Sequence, residues 1–194
     1  MAKNILIVSL CIFMSHAFAQ QAPSTPSSTT NMPTTTGNQN VTSKAAMTDG
    51  QISKILLTIN QGEIEAAKWA KKHAANKDVK NFAKEMYKGH EKNKKATQDM
   101  AKNKMINLED SELNKTIQDE ASNSNNNLKA LKRDEMDKVY ISQQIMMHQN
   151  ALNHINNTLI PNASSPDLRA HLEKTRDDVS AHLNHAQELQ TKIQ

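Results

Sequence analysis

The sequence predicts an all-α protein whose folded part is an antiparallel four-helix bundle. Three observations carry that expectation. No proline occurs between Pro33 and Pro161, so long helices are permitted throughout that span. The apolar residues within it recur at the helical period. The chain has only 4 Gly, 1 Trp, 2 Tyr and 3 Phe, too few turn formers and aromatic strand residues for a sandwich or barrel.

Residues 1–19 read as a secretory signal peptide. Lys3 supplies the positive start, Ile5 to Met14 the apolar stretch, and Ala17-Phe18-Ala19 an A-x-A site with cleavage before Gln20. The apolar run is shorter than the ~20 residues a membrane span needs. Cys11 is the single cysteine and leaves with this segment, since Leu10 stands where a lipoprotein signal wants a small residue. The mature chain then has no thiolate with which to build a disulfide or bind metal. Residues 20–46 are rich in Ser, Thr, Pro and Gln and read as a disordered linker. The bundle domain is expected over 47–194.

The first helix is predicted from Thr48 or Asp49 to Ala75, with Ile52, Leu56, Ile59, Glu63, Ala66/Ala67, Ala70 and Ala74 on its inner stripe. The second runs from about Asp78 to Lys104 through Val79, Phe82, Met86, His90 and Thr97. An extra segment begins near Asp110 with Leu113 and Ile117. The run Ser122-Asn123-Ser124-Asn125-Asn126-Asn127 is then expected to bend, break or shorten it, because Ser and Asn favour turns. The third long helix spans Asp134 to Leu159, with Asp137, Ile141, Gln144/Ile145, His148, Leu152 and Ile155 inward. Ser165 followed by Pro166 reads as an N-cap and first helical residue. The last helix continues to about Lys192 through Leu168, Leu172, Thr175, Val179, His182, Ala186 and Leu189.

What interrupts the stripes is the functional signal. Each carries a titratable residue at an otherwise apolar position, of which four are singled out: Glu63, His90, His148 and His182. Glu63 and His90 are nearly equidistant in sequence from Asn76, so a hairpin turning there brings them to one height, at about 1.5 Å per residue. His148 and His182 are likewise centred on the loop at 165. Burying these groups unpaired costs several kcal/mol, so they must be hydrogen-bonded, mutually paired, hydrated or metal-bound. Three imidazoles and a carboxylate suit a divalent transition metal such as Zn, Fe, Cu or Ni. Asp178, one turn before His182, and Asp137, on the third stripe, are the candidates to orient a ligand histidine. Gly62 and Gly89 directly precede Glu63 and His90, which suggests close backbone approach at that level. The alternative reading is a satisfied Glu/His layer that only sets the register of the bundle. His73, His154, His171 and His185 are read as surface residues, and Met86, Met100, Met136, Met146 and Met147 as core filler.

The net charge of +4 falls to +3 without Lys3 and is spread over mixed-sign segments, which is a solvated surface and no nucleic-acid footprint. No transmembrane span is expected in the mature chain.

The residues resemble a bacterial family called domain of unknown function 4142. The resemblance rests on Glu63, on Val79-Lys80-Asn81-Phe82-Ala83-Lys84-Glu85-Met86 leading to His90, on Asp137 with Tyr140 and then His148, and on His182. It implies a ferritin-like four-helix bundle, exported to the periplasm or outer membrane, and no known activity. The acidic residue usual before the second-helix histidine in that family is Gly89 here. Ferritin-like di-iron sites use Glu-x-x-His motifs. This chain has none, since Tyr87, Ile145 and Val179 stand three before His90, His148 and His182. No catalytic residue is assigned. The expected function is an exported bundle with a metal-binding Glu/His cluster. The alternatives are a structural or interaction module with an envelope protein partner, and a mononuclear metalloenzyme or stress protein.

Overall fold

The computed structural model describes residues 46–193. Among these the structure is entirely helical, with five long helices: α1 (Asp49–His73), α2 (Lys77–Asn103), α3 (Glu112–Ala130), α4 (Arg133–His154) and α6 (Pro166–Ile193), plus the single turn α5 (Ile160–Asn162). The expected signal peptide, Cys11 and almost all of the expected linker lie outside the described residues. No helix among the described residues is long and apolar enough to cross a membrane.

Local chemistry sets the helix ends. Thr48 and Gln51 form a reciprocal capping box at the start of α1. Asn76 caps α2 by accepting from Asp78 N and Val79 N, and Ser111 caps α3 by accepting from Asn114 N. Ser165 Oγ accepts from Leu168 N at 3.4 Å, with Pro166 as the first residue of α6. The carboxylate of Asp49 accepts from Ser164 N and Ser165 N, which ties the start of α1 to the loop before α6.

Helices α1 and α2 form one hairpin, and α4 and α6 the other. The pairs close on each other through α2 against α6 and α1 against α4. Helix α3 packs along α1 and touches α4. Two apolar clusters fill the bundle. One contains Ala66, Ala70, Phe82, Met86, Tyr140, Ile141 and Leu189. The other contains Ile52, Leu56, Ile117, Ile155, Leu168, Leu172 and Val179. Each fully buried large side chain contributes about 1.5–3 kcal/mol. Asn60, Glu63, His90, Gln144 and His148 are also buried, and in sequence they fall between the members of the two clusters on each helix.

Two expectations are corrected here. The Ser/Asn run does not break α3, which continues to Ala130 and stops at Leu131. Its inward face is fixed by packing: Asn125 and Leu128 are buried, and Asn125 Nδ2 donates to Gly62 O at 3.1 Å. A Cβ on Gly62 would lie 2.7 Å from Ala121 Cβ, so the glycine lets the two helices meet. Tertiary contact outweighs the weak intrinsic preference of Ser and Asn. The third long helix also does not stay α to Leu159. Its last turn, Ile155–Leu159, is a π turn. Pro161 cannot donate to Asn157 O and its ring crowds that carbonyl, which the wider turn accommodates. Of the methionines, Met86 and Met136 are core, whereas Met146 is 50% exposed.

Candidate metal centre

Helices α2, α4 and α6 each send one histidine to a common point. The ring centroids are 5.5 Å apart for His90 and His148, 5.3 Å for His90 and His182, and 5.5 Å for His148 and His182. One ring nitrogen from each lies within 4.8 Å of the other two, and this is the one such group of three found among the described residues. His90 and His148 are buried and His182 is half-buried. Gly89 makes room for the third ring: a Cβ there would stand 3.0 Å from His182 Cε1 and 3.1 Å from His182 Nε2.

The surrounding hydrogen bonds fix which nitrogen of each buried ring is free. Asn60 Nδ2 donates to Leu56 O and to Asn93 Oδ1. The Oδ1 of Asn60 is therefore an acceptor, and the 3.0 Å contact from His90 Nδ1 is a donation to it. His148 Nδ1 donates to Gln144 O at 2.8 Å. Both Nε2 atoms are left as lone pairs. They are buried and have no hydrogen-bond partner among the described residues, and the same holds for His182 Nδ1. Buried polar atoms normally have partners. Three that lack them, on three rings that meet, form a donor set of the kind a metal requires. Asn93 Nδ2 in turn donates to Thr175 Oγ1 at 2.7 Å, so the group behind His90 is itself anchored to α6.

Electrostatics keeps the rings neutral. Burial pushes His90 well below its ordinary value, helped by the neighbouring His148 and His182. Burial takes His148 down to about 4, against the opposing pull of the Gln144 carbonyl. Burial and the proximity of His148 take His182 to about 4. At neutral pH all three offer lone pairs. Glu63 is pushed the other way, to about 7, by burial, with the Gln144 hydrogen bond opposing.

The candidate residues are not all in one shell. His90, His148 and His182 meet. Glu63 lies behind them: its Oε1 is 3.5 Å from His148 Nδ1, and its Oε2 accepts from Gln144 Nε2 at 2.8 Å. It therefore lies on the Nδ1 side of His148, whose proton goes to Gln144 O, and its own hydrogen bond is accepted from the Gln144 side-chain amide. Asp137 is elsewhere. Its carboxylate accepts from Ala75 N and Asn76 N and holds the α1–α2 turn. Asp178 lines the same cleft as His182, but its carboxylate is taken by Lys174 Nζ.

Sequence reasoning missed Asn60 and Asn93 altogether, and gave Gln144 no role although it stood on a stripe. A polar residue one turn before an inward Glu63 was the available signal for Asn60. Of the histidines read as surface, His171 is half-buried and shares a hydrogen bond with Thr97 Oγ1 at 2.8 Å. His185 is exposed and pairs with Glu85.

No curated protein and no solved structure matches the chain. Residues 34–189 match the family described as Domain of unknown function (DUF4142). That match spans most of the chain, and the protein belongs to this family.

Proposed function

We propose that this protein binds one divalent transition metal through His90, His148 and His182. The observation that carries the reading is the convergence of three imidazole rings, each with one buried nitrogen that has no hydrogen-bond partner among the described residues. The tautomers support it, since two rings already donate through Nδ1 to Asn60 and Gln144, as ligand histidines do to their supporting acceptors. Imidazole donors suit Zn, Cu, Ni and Fe. Tetrahedral coordination at about 2.0–2.1 Å places ligand nitrogens about 3.3 Å apart, so small ring movements close the set around the ion.

The test is a competition titration of purified full chain with Zn2+ against a chromogenic chelator, with His90→Ala and His148→Ala alongside. One ion per chain, lost in both variants, is expected. Substoichiometric metal that neither substitution changes overturns the reading. In that event the polar layer serves register alone, a role favoured by its place between the two apolar clusters.

The protein is further read as exported, from Lys3, the Ile5–Met14 stretch and the Ala17-Phe18-Ala19 site. A secreted or periplasmic form beginning at Gln20 is expected on N-terminal sequencing. A mature form that retains Met1 and stays in the cytoplasm contradicts it.

A further inference from the structure

We infer that the metal held by the three histidines keeps an exchangeable coordination position, and that this position takes a small anion entering between α2 and α6. The inference rests on the metal reading above and adds to it the class of the outside ligand. It begins with ligand count. Closed structural zinc sites use four protein ligands, whereas sites with three leave a position to water or substrate. Here the carboxylate that could have completed the set lies behind His148, on the side of Nδ1 rather than Nε2.

The second argument is charge. All three donors are neutral imidazoles, so a divalent ion keeps its full charge within its first shell. The nearest buried carboxyl, Glu63, is separated from it by the width of a ring. An anion at the remaining position lowers that charge, and its attraction to the ion offsets its own desolvation.

The third argument is access. A cleft between α2 and α6 has His90 and His182 in its wall, and His148 is not part of that wall. The free face of the ion therefore looks into this cleft. Gly89 also lines it, and the space a side chain would take there is filled by the His182 ring. The cleft has a volume of about 220 Å³, below the ~300–1,000 Å³ of sites for drug-sized molecules. That size admits a few-atom anion. Lys174 at the cleft is already paired with Asp178. Lys92, an exposed residue of the same lining, adds a positive charge toward which an approaching anion is drawn.

The experiment uses the full chain loaded with Co2+, whose visible bands report coordination, titrated with azide at low ionic strength. Lys92→Glu is run in parallel, since this exposed residue tolerates substitution without loss of the fold. A saturable band shift with one azide per Co2+ is expected. In Lys92→Glu, one Co2+ per chain is still bound and azide affinity drops severalfold. Stoichiometric Co2+ whose spectrum ignores azide overturns the open position while leaving the metal reading intact. An equal azide response in the two proteins overturns entry past Lys92. A chain that takes up no Co2+ overturns the metal reading itself and this inference with it.

Discussion

Replacing Gly89 by Ala separates the site from the fold. A Cβ at this position lies 3.0 Å from Cε1 and 3.1 Å from Nε2 of His182, inside the 3.4–4 Å of ordinary contact. The ring must retreat by a few tenths of an ångström. It can do so, because His182 is half-buried and borders the α2–α6 cleft. The helix gains from the change, since Ala in a helix interior is favoured over Gly by about 1 kcal/mol. The metal-free Tm is therefore expected to hold or to rise by a few degrees, at about 2–4 °C per kcal/mol for a chain of this size. Metal affinity moves the other way. Ligand positions must fit to within about 0.2 Å, and a shift of this size is expected to weaken Zn2+ binding about tenfold, or ~1.4 kcal/mol. Thermal melting by circular dichroism reads the first quantity and chelator competition the second. An unchanged Tm together with Zn2+ affinity within about twofold of the parent would falsify the assignment of His182 as a ligand. Loss of the metal-free fold would show that the contact with His182 cannot relax and that the helix gain is outweighed.

Three further outcomes follow from the same geometry. First, metal-free stability falls on acidification. His148 titrates at about 4 when folded against 6.5 when free, so from pH 6.5 down to about 4 the unfolded chain binds a proton that the folded chain refuses, worth about 3 kcal/mol for this ring alone. Glu63 acts oppositely: its value is raised from 4.5 to about 7, so its stabilisation is lost as pH rises through that window. His90 and His182 are lowered and side with His148. A lower Tm at pH 5 than at pH 7 is the expected result, and an equal or higher one contradicts the burial argument. Second, Gly62→Ala drives a methyl to 2.7 Å from Ala121 Cβ and should cost about 1–3 kcal/mol in denaturant unfolding. Ala121→Gly in the same chain should recover most of it, and no recovery would mean that the α1–α3 contact is not the cause. Third, Asp137→Asn weakens the bonds from Ala75 N and Asn76 N and should cost about 1.5–3 kcal/mol without altering Zn2+ affinity. A large loss of metal binding would tie Asp137 to the histidines after all.

Much of the fold was legible because the helix signals are local. The cap at Ser165 and the apolar periodicity depend on neighbours within a turn or two. Hairpin symmetry about Asn76 paired Glu63 with His90 in height, and symmetry about residue 165 paired His148 with His182. How the two hairpins align was not in that symmetry, and the rings of His90, His148 and His182 meet. The continuity of α3 was not legible. It depends on Asn125 reaching Gly62 O across to another helix, which propensity does not encode. Nor does height alone tell the face of a ring. Glu63 shares the level of the histidines and still faces the back of His148. Asp137 shares their stripe, but from its end of α4 its carboxylate is claimed by the α1–α2 turn. Asn60 was overlooked because its value lies in accepting from His90 Nδ1, a contact between two helices.

The most direct measurement is X-ray absorption at the zinc edge on the full chain loaded with one equivalent of Zn2+. Three imidazole nitrogens and one further light atom at about 2.0–2.1 Å are predicted, with the outer-shell scattering of imidazole rings. A first shell of oxygens without imidazole scattering would contradict a centre built from His90, His148 and His182.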